Sequence, residues 1–289
     1  MPGTDFSLAL GRLTQRPIIV ASHPRSGTHL VIDLFRRQFR ECRSWKLPGE
    51  RLDRLYLSVE ALFVPGSRSP ISEAVAVKIL RRVLRPLVKT HLALPELQGG
   101  PMTSRGRIGQ YWLDWFDRNG RVVYVYRDGR DVMCSFHFFS MAHPRARCPL
   151  AEFIRQNDCG VSRVKAWARG VRRWLCEPGV LAVRCEDIHR DPRSVVQRFA
   201  RELELSPLYR EPLLPRQLGS VWESRAQRVF GVRPGSSAII SRFKGHRLQR
   251  WRDVFTLEDR AFFHREAGDL LIDLGYEESA GWVDGEASR

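Results

Sequence analysis

Short apolar runs alternate with longer amphipathic stretches along this chain. Four of these runs are almost wholly apolar: Pro17–Ser22, Pro86–Lys89, Val122–Tyr126 and Val180–Val183. Short runs of this kind are typical of strands that are covered on both faces, as they are in parallel sheets. The pattern therefore predicts four buried strands.

Stretches with helical spacing follow several of these runs. Between Thr28 and Arg40 the apolar residues recur as on one face of a helix, at Leu30, Val31, Leu34, Phe35 and Phe39. Similar patterns predict helices at Asp128–Ser140, Ser162–Cys176, Pro192–Leu203 and Leu257–Leu274. Alternating strands and helices predict an α/β fold: three α/β/α layers around a central parallel sheet, with a P-loop-like strand, loop and helix near the start.

The domain organisation follows from the same pattern. We expect an N-terminal extension over 1–15, a single domain over 16–276 and an acidic, loosely ordered tail over 277–289. Two segments rich in Gly, Pro and Ser, Pro65–Ser72 and Gly231–Ser237, are predicted to be loops around a site.

The surroundings of the protein can also be predicted. No apolar stretch is long enough to span a bilayer, and the N-terminal residues do not resemble a secretory signal. The six cysteines lack paired CxxC spacing, and His143, Cys148 and Cys159 match no zinc pattern. We therefore expect a reduced, cytoplasmic protein with free thiols.

The chain is strongly basic. Its 48 Lys and Arg residues outnumber 32 Asp and Glu, which gives a formal net charge of +16. Such an excess favours nucleic acid, an anionic membrane surface or anionic small molecules as partners. However, only five of the basic residues are Lys, and the arginines are dispersed rather than gathered in one run. A nucleic-acid-binding tail is therefore not supported.

The first segment with candidate chemistry is Ser22–His29, with the sequence SHPRSGTH, between the first strand and the first helix. A loop in this place directs backbone N–H groups towards one point, and the positive end of the helix dipole adds to the attraction for an anion. The GxxxxGK[ST] pattern of a Walker A loop is absent. The alternative interpretation is a small-residue turn with Thr28 as the helix N-cap.

The second segment is Tyr124–Phe136, where a strand ends in a basic turn and a helix follows. Arg127, at the carboxyl end of the strand, would face the crevice where open α/β sheets bind ligands. Ser135 follows about two helical turns later and can share its face. Arg130, flanked by Asp128 and Asp131, is predicted to be part of a salt-bridged turn.

The third segment is Leu87–Leu92, again at the end of a strand. The His91 side chain is suited to accept a proton near neutral pH, and Lys89 can stabilise negative charge nearby. The alternative interpretation is a purely structural histidine.

Together the three segments resemble the sulfotransferases that use 3′-phosphoadenosine 5′-phosphosulfate (PAPS), particularly the cytosolic type. The sequence PRSGT is similar to the family's 5′-phosphosulfate loop, YRDGRDVMCSF to its 3′-phosphate motif RxxxDxxxS, and VKTHL to the segment that carries the catalytic base. The order and spacing also agree, and the resemblance covers roughly residues 16–258.

The resemblance implies a role for each matching residue. His91 would be the catalytic base, Lys89 its cationic neighbour, and Arg25 a cation at the bridging oxygen of PAPS. The expected cofactor-binding residues are Arg25, Ser26, Gly27, Thr28 and His29 for the 5′-phosphate, Arg127, Ser135, Lys244 and Gly245 for the 3′-phosphate, Trp222 for adenine stacking, and Arg242 as a further cation.

Some positions differ from the family pattern. Arg25 stands where the family often has Lys, which makes it a charge stabiliser rather than a proton donor. Gly170 replaces a usual His, Cys185 replaces a usual Tyr, and Phe243 takes an expected Arg position. The family's dimer motif is matched only in part, by Arg252, Thr256, Leu257 and Ala261, so a homodimer is possible.

The sequence thus predicts transfer of a sulfuryl group from PAPS to a hydroxyl or amine of a small-molecule, sugar or lipid acceptor, without a metal ion and without nucleic acid as a partner. Phe136, Phe138 and Phe139 either line an acceptor pocket or belong to the core. Two alternatives stay open. One is a P-loop-type nucleotide or small-molecule kinase, and the other is a basic nucleic-acid-binding protein.

Overall fold

A computed structural model describes residues 16–44, 55–63, 72–93, 114–141, 147–158, 160–212 and 249–284. Its elements in chain order are β1 (Ile18–Ser22), α1 (Thr28–Gln38), β2 (Leu57–Ser58), α2 (Glu60–Phe63), α3 (Glu73–Leu80), β3 (Leu87–Thr90), β4 (Arg121–Tyr126), α4 (Gly129–Ser140), α5 (Leu150–Arg155), β5 (Asn157–Asp158), β6 (Val161–Ser162), α6 (Arg163–Leu175), β7 (Leu181–Arg184), α7 (Asp187–Arg190), α8 (Pro192–Leu203), α9 (Trp251–Val254), α10 (Leu257–Asp273) and a 3₁₀ turn (Ala280–Trp282).

The chain divides into two compact units. The first, here the sheet unit, draws its residues from Met1–Ser22, Gly27–Val125 and Gly179–Lys244. The second, here the helical unit, draws them from His23–Ser26, Tyr126–Pro178 and Gly245–Arg289. The expectation of a single domain over 16–276 stays a prediction.

A five-stranded sheet in the order β2-β3-β1-β4-β7 forms the centre of the sheet unit. β1 pairs in parallel with both β3 and β4, so that Ile19 lies beside Val88 on one side and Val122 on the other. Every residue of β1 is buried, as its apolar sequence predicts. The central parallel sheet flanked by helices is therefore confirmed.

Helix α1 supplies much of the core of the sheet unit. Its predicted apolar positions are all buried, and Phe35 stacks on Phe199 of α8 with 4.7 Å between ring centroids. Burial of an aliphatic or aromatic side chain of this size is worth roughly 1.5–3 kcal/mol. The helix ends at Gln38 rather than Arg40, because Phe39 takes an extended conformation and forms a bridge with Pro207.

The helical unit has its own aromatic core. Trp167 of α6 is fully buried and packs against Phe263 of α10, and the ring of Trp282 meets that of Trp251 edge on. A side chain at Gly129 would collide with the ring of Trp167, so α4 begins with a residue that allows close packing.

Residues 277–284 form part of the helical unit. The Glu277 carboxylate accepts a hydrogen bond from Arg130, and Trp282 is buried. The loosely ordered tail over 277–289 stays a prediction. The remaining residues, 285–289, lie outside the described part of the chain.

Several short elements were not predicted. The hydrophobic pattern predicts no element at β2, α2, α3, α5 or the antiparallel pair β5 and β6. Of the predicted loop Pro65–Ser72, only Ser72 is described, and its hydroxyl caps α3 by accepting a hydrogen bond from the Val75 N–H. The predicted loop Gly231–Ser237 lies outside the described residues.

Candidate active site

The segment between β1 and α1 begins with His23–Ser26, which belongs to the helical unit. Arg25 has a φ of 72°, in the left-handed region that few non-glycine residues adopt, and the Ser26 N–H donates to the His23 carbonyl at 3.2 Å. Ser26 is 1% exposed, and its hydroxyl has no hydrogen-bond partner among the described residues. A buried hydroxyl of this kind is a donor available to a ligand.

Helix α1 begins in the sheet unit at Thr28. Gly27 is its N-cap, with a φ of 103°, and provides no side-chain cap. The alternative of Thr28 as the N-cap is therefore wrong. The first turn contains no acidic residue, so its N–H groups and the helix dipole can attract an anion. This is the P-loop-like geometry that the sequence predicts.

Gly27 is also required by the packing around it. A Cβ atom built at this position would lie 2.6 Å from the Cys185 Sγ, closer than real Cβ contacts. Both the left-handed backbone and this close approach need a residue without a side chain.

Ser22, the last residue of β1, links two predicted site residues within the sheet unit. Its hydroxyl lies 2.5 Å from the Thr28 hydroxyl, and its carbonyl oxygen lies 2.8 Å from Nδ1 of His91. Because a carbonyl can only accept, Nδ1 carries the hydrogen in the neutral ring and donates it. The nitrogen that can accept a further proton is then Nε2.

The His29 side chain contacts Tyr56 within the sheet unit. Its Nε2 lies 2.9 Å from the Tyr56 hydroxyl, and the two rings meet edge on with centroids 5.7 Å apart. A contribution of His29 to an anion site is therefore expected from its backbone N–H in the first turn of α1. Sequence reasoning did not single out Tyr56, which lies in no recognised motif.

The segment that carries Lys89 and His91 is held by Glu60, the first residue of α2. One Glu60 carboxylate oxygen accepts from the Thr90 hydroxyl at 3.1 Å and from the His91 backbone N–H. Burial alone would raise the pKa of Glu60, but Lys89 and then His91 outweigh burial, and the pKa lies below its ordinary value. Burial lowers the pKa of Lys89, and the charge of Glu60 opposes that effect.

In the helical unit, Arg25 is bound to the predicted 3′-phosphate residue Ser135. Its Nε donates to the Ser135 hydroxyl at 3.2 Å, and its guanidinium lies over the Phe139 ring at 5.0 Å. Burial, and secondly the charge of Arg127, lower the pKa of Arg25 to about 10. Two arginines that influence each other in this way favour a multiply charged anion nearby.

Arg127 is paired with Asp131, one helical turn later, at 3.2 Å. Asp131 also accepts from the backbone N–H groups of Gln249 at 2.9 Å and Trp251 at 3.4 Å. Burial raises the pKa of Asp131, although Arg127 opposes the shift. The i, i+4 spacing of the RxxxD motif was the available signal for this pair.

Arg130 forms the salt-bridged turn that the sequence predicts, with one of the two predicted partners. It binds Asp128 at 2.7 Å and Glu277, and its guanidinium lies 3.9 Å from the ring of Trp251. Asp131, the other predicted partner, pairs with Arg127 instead. Arg130 is therefore a structural residue of the helical unit.

The phenylalanines of α4 differ in their surroundings. Phe136 is half-buried and packs edge on against Phe153 and His23. Phe138 is 47% exposed and lies beside Arg250. A role of these residues in acceptor binding stays a prediction.

Four of the predicted cofactor-binding residues lie outside the described residues, namely Trp222, Arg242, Lys244 and Gly245, as does Phe243. Their assignments stay predictions.

Within the described ranges, no group of three or more His, Cys, Asp or Glu side chains could hold a metal ion. The described cysteines Cys42, Cys134, Cys148, Cys176 and Cys185 are free thiols. No helix in the same ranges combines the length and the apolar character of a membrane span.

Comparison with known proteins supports the resemblance. A family model described as the sulfotransferase domain matches residues 15–266, most of the chain. This chain belongs to the sulfotransferase domain family. Sulfotransferase 1B1 of Canis lupus familiaris is 26% identical over 197 residues, which are 65% of this chain and 58% of that protein.

Two further comparisons agree with this membership. Sulfotransferase 1A1 of Bos taurus is 26% identical over 207 residues, 67% of this chain and 62% of its own length. The matches thus span about three fifths of these curated relatives. The crystal structure of mouse sulfotransferase SULT7A1 complexed with PAP has a TM-score of 0.51 at 14% identity, and the match covers 96% of this chain and 93% of that one. It supports the fold.

Proposed function

We propose that this chain is a PAPS-dependent sulfotransferase that uses His91 as a general base and sulfates a hydroxyl or amine of a small-molecule, sugar or lipid acceptor. The observation that carries the proposal is the contact of Ser22 with both Thr28 and His91 in the sheet unit. Ser22 thereby links the Thr28 hydroxyl, at the start of α1, to the His91 ring, whose Nδ1 carries the hydrogen. Family membership supports the same activity.

The orientation of the His91 ring supports a role in proton removal. Its Nδ1 donates to the Ser22 carbonyl, and the ring is thereby oriented with Nε2 as the basic nitrogen. PAPS, when bound, supplies the sulfuryl group and departs as 3′-phosphoadenosine 5′-phosphate (PAP). The proton of the acceptor O–H or N–H moves to Nε2 as the acceptor atom bonds to sulfur, and the electrons of the broken S–O bond remain on the departing phosphate.

The residues around the helix α1 terminus fit an anionic nucleotide. In the sheet unit, the uncapped first turn of α1 would bind the 5′-phosphate. In the helical unit, the Ser26 hydroxyl has no partner among the described residues and would be a further donor to the nucleotide. In the helical unit, Arg127 and Ser135 would hold the 3′-phosphate, and Arg25 would neutralise developing negative charge. Trp222, Arg242, Lys244 and Gly245 would complete the nucleotide site.

The alternatives are not favoured. A P-loop-type kinase would place a lysine in the loop to bind phosphates, and this loop has Arg25 with no Walker lysine. A nucleic-acid-binding protein has no need for an oriented imidazole beside a phosphate loop. A cytoplasmic location, the absence of a nucleic-acid partner, a reaction without a metal ion and a possible homodimer remain parts of the proposal.

The His91→Ala variant tests the assignment of the base. We expect turnover to fall by a factor of about 10² to 10⁴, the usual contribution of a general base, with PAP affinity within about threefold of the wild type. Labelled PAPS should be used with phenols, sugars and lipid alcohols as acceptors, and PAP binding should be measured by calorimetry. His189→Ala, a half-buried histidine of α7 in the same unit, is the matched control.

Two outcomes would contradict the proposal at different levels. A His91→Ala enzyme with the wild-type rate would remove His91 as the base. A thermal shift in the wild type with Mg-ATP but none with PAP would remove the sulfotransferase and favour the kinase.

A further inference from the structure

Glu60 lies at the junction of two short elements in the sheet unit. It begins α2, and one residue, Val59, separates it from the end of β2. β2 pairs in parallel with β3, so that Ser58 lies beside Lys89. The backbone N–H of Val59 also donates to the Lys89 carbonyl at 2.9 Å. The main-chain pairing therefore fixes Glu60 next to the end of β3, where Lys89 and His91 are found.

The carboxylate of Glu60 binds this strand end at several points. One oxygen accepts from the Thr90 hydroxyl and the His91 backbone N–H, and the other accepts from the Ser58 hydroxyl at 2.7 Å. The Thr90 hydroxyl in turn accepts from the Leu92 N–H at 3.0 Å. The Glu60 carboxylate thus holds Thr90 and His91 directly, and it holds Leu92 through the Thr90 hydroxyl.

The charge of Glu60 interacts with Lys89 and with His91. Lys89 and His91 are the titratable groups that act on it within the described residues, and both favour its ionised form. A fixed negative charge near an imidazole stabilises the protonated ring, because opposite charges attract more strongly where water is partly excluded. Glu60 can therefore influence His91 through position and through charge.

We propose that Glu60 is a positioning residue of the reaction: it fixes the backbone of His91 so that the ring stays on the Ser22 carbonyl, and its charge stabilises the imidazolium that forms when His91 takes the acceptor proton. The inference deepens the proposed function and rests on His91 as the base.

The Glu60→Gln variant separates charge from shape. The amide keeps the size of the side chain and one oxygen that can accept from His91 and Thr90, but the negative charge is lost. We expect kcat to fall by about tenfold to 100-fold, with the KM for PAPS within about threefold of the wild type. The acidic limb of the pH profile of kcat, where the base is protonated, should move to lower pH.

Glu60→Asp tests position by a second route. The aspartate retains the charge but is one methylene shorter, so it cannot reach Ser58, Thr90 and His91 together. We expect the acidic limb to stay in place while kcat falls. A wild-type kcat in this variant would overturn the positioning role, including in the case that the Gln variant does not fold.

Asp33→Asn is the matched control for the loss of a buried charge in the same unit. Asp33 lies on α1 and pairs with Arg36 at 3.0 Å, outside the proposed machinery. We expect this variant to lose stability and to retain the pH profile.

The possible failures are distinguishable. A Glu60→Gln variant with unchanged kcat and pH profile, together with an inactive His91→Ala variant, would overturn the role of Glu60 and leave the proposed function intact. A fully active His91→Ala variant would instead overturn the base, and the inference with it.

Discussion

At the scale of single residues, Gly27 is the position where backbone conformation and packing impose the same requirement. We predict that Gly27→Ala lowers the free energy of unfolding by about 1–3 kcal/mol from the left-handed backbone alone, and by more from the contact with Cys185. PAP affinity should fall as well, since the α1 terminus has to shift. Denaturant unfolding and calorimetry with PAP measure the two effects.

Gly179→Ala is the control for this prediction. Gly179 also has a positive φ, 79°, but a Cβ at that position has no neighbour within 4 Å. The Gly179→Ala variant should therefore lose stability from backbone strain alone, without a steric clash. Equal losses in the two variants would show that Cys185 does not restrict Gly27, and Cys185→Ala in the Gly27→Ala background should recover stability if it does.

His23 gives the clearest pH dependence in the described residues. Burial lowers its pKa from 6.5 to about 4, although the Pro24 carbonyl and Asp158 oppose the shift. The unfolded chain therefore binds a proton between these pH values while the folded chain does not. We predict that the free energy of unfolding falls by up to about 3 kcal/mol as the pH decreases from about 6.5 to 4, because the unfolded chain gains the proton first. Above pH 6.5 neither state is protonated at His23, and the full stability is retained.

The comparison with His23→Gln checks this prediction. Unfolding by urea at a series of pH values should give a shallower pH dependence for the variant between pH 4 and 6.5, because the glutamine does not titrate. Parallel curves for wild type and variant would assign the acid sensitivity to other groups.

At the scale of elements, the longer helices and the most apolar strand could be predicted from the sequence. β1, α1 and α8 are long or apolar enough for their periodicity to be read from the sequence, and α8 has the predicted bounds Pro192–Leu203. Its N-terminus is also encoded locally, by Pro192 in the first turn and Asp191, whose side chain accepts from the Ser194 N–H. Local signals and tertiary packing agree in these elements.

The short elements could not be predicted in this way. β2 has two residues and α2 has four, too few for any hydrophobic period to be visible. Their conformation follows from pairing with β3, a contact that is distant in sequence. The consequence for the candidate site is direct, because Glu60 lies on one of these elements and no motif marks it.

Side-chain pairing within predicted elements was only partly predictable. The strand that directly precedes Arg127 and the helix that carries Asp131 and Ser135 were predicted, and all three residues lie in one recognised motif. Which of them pair depends on side-chain direction: Arg127 binds Asp131, and Ser135 binds Arg25, which is 110 residues away in sequence. The spacing of the motif predicts which residues are candidates for the site, but the pairing of Ser135 with Arg25 is visible only in the fold.

At the scale of the whole molecule, part of the basic composition is matched by neighbouring carboxylates in the described residues. Many arginines pair with a nearby carboxylate of the same unit, as Arg172 does with Asp273, Arg193 with Glu211 and Arg201 with Glu202. Exposed pairs like these contribute little to stability. They do reduce the local excess of positive charge, so the basic composition alone does not identify a polyanionic partner.

A salt series with charge-similar ligands separates the proposed function from nonspecific attraction of anions. We predict that PAP binds at least tenfold more tightly than ADP, because its phosphates are carried on the 5′ and 3′ positions of the ribose and the proposed function assigns a separate group of residues to each. Between 50 and 200 mM salt the affinity for PAP should fall by no more than about tenfold, whereas a protein with 6–10 contacts to DNA phosphates loses about 10³–10⁵. Calorimetry with PAP, ADP and a short single-stranded DNA measures all three. Equal affinity for PAP and ADP, or displacement of PAP by the DNA with the steep salt dependence, would mean that dispersed charge governs binding and that no nucleotide-specific site exists.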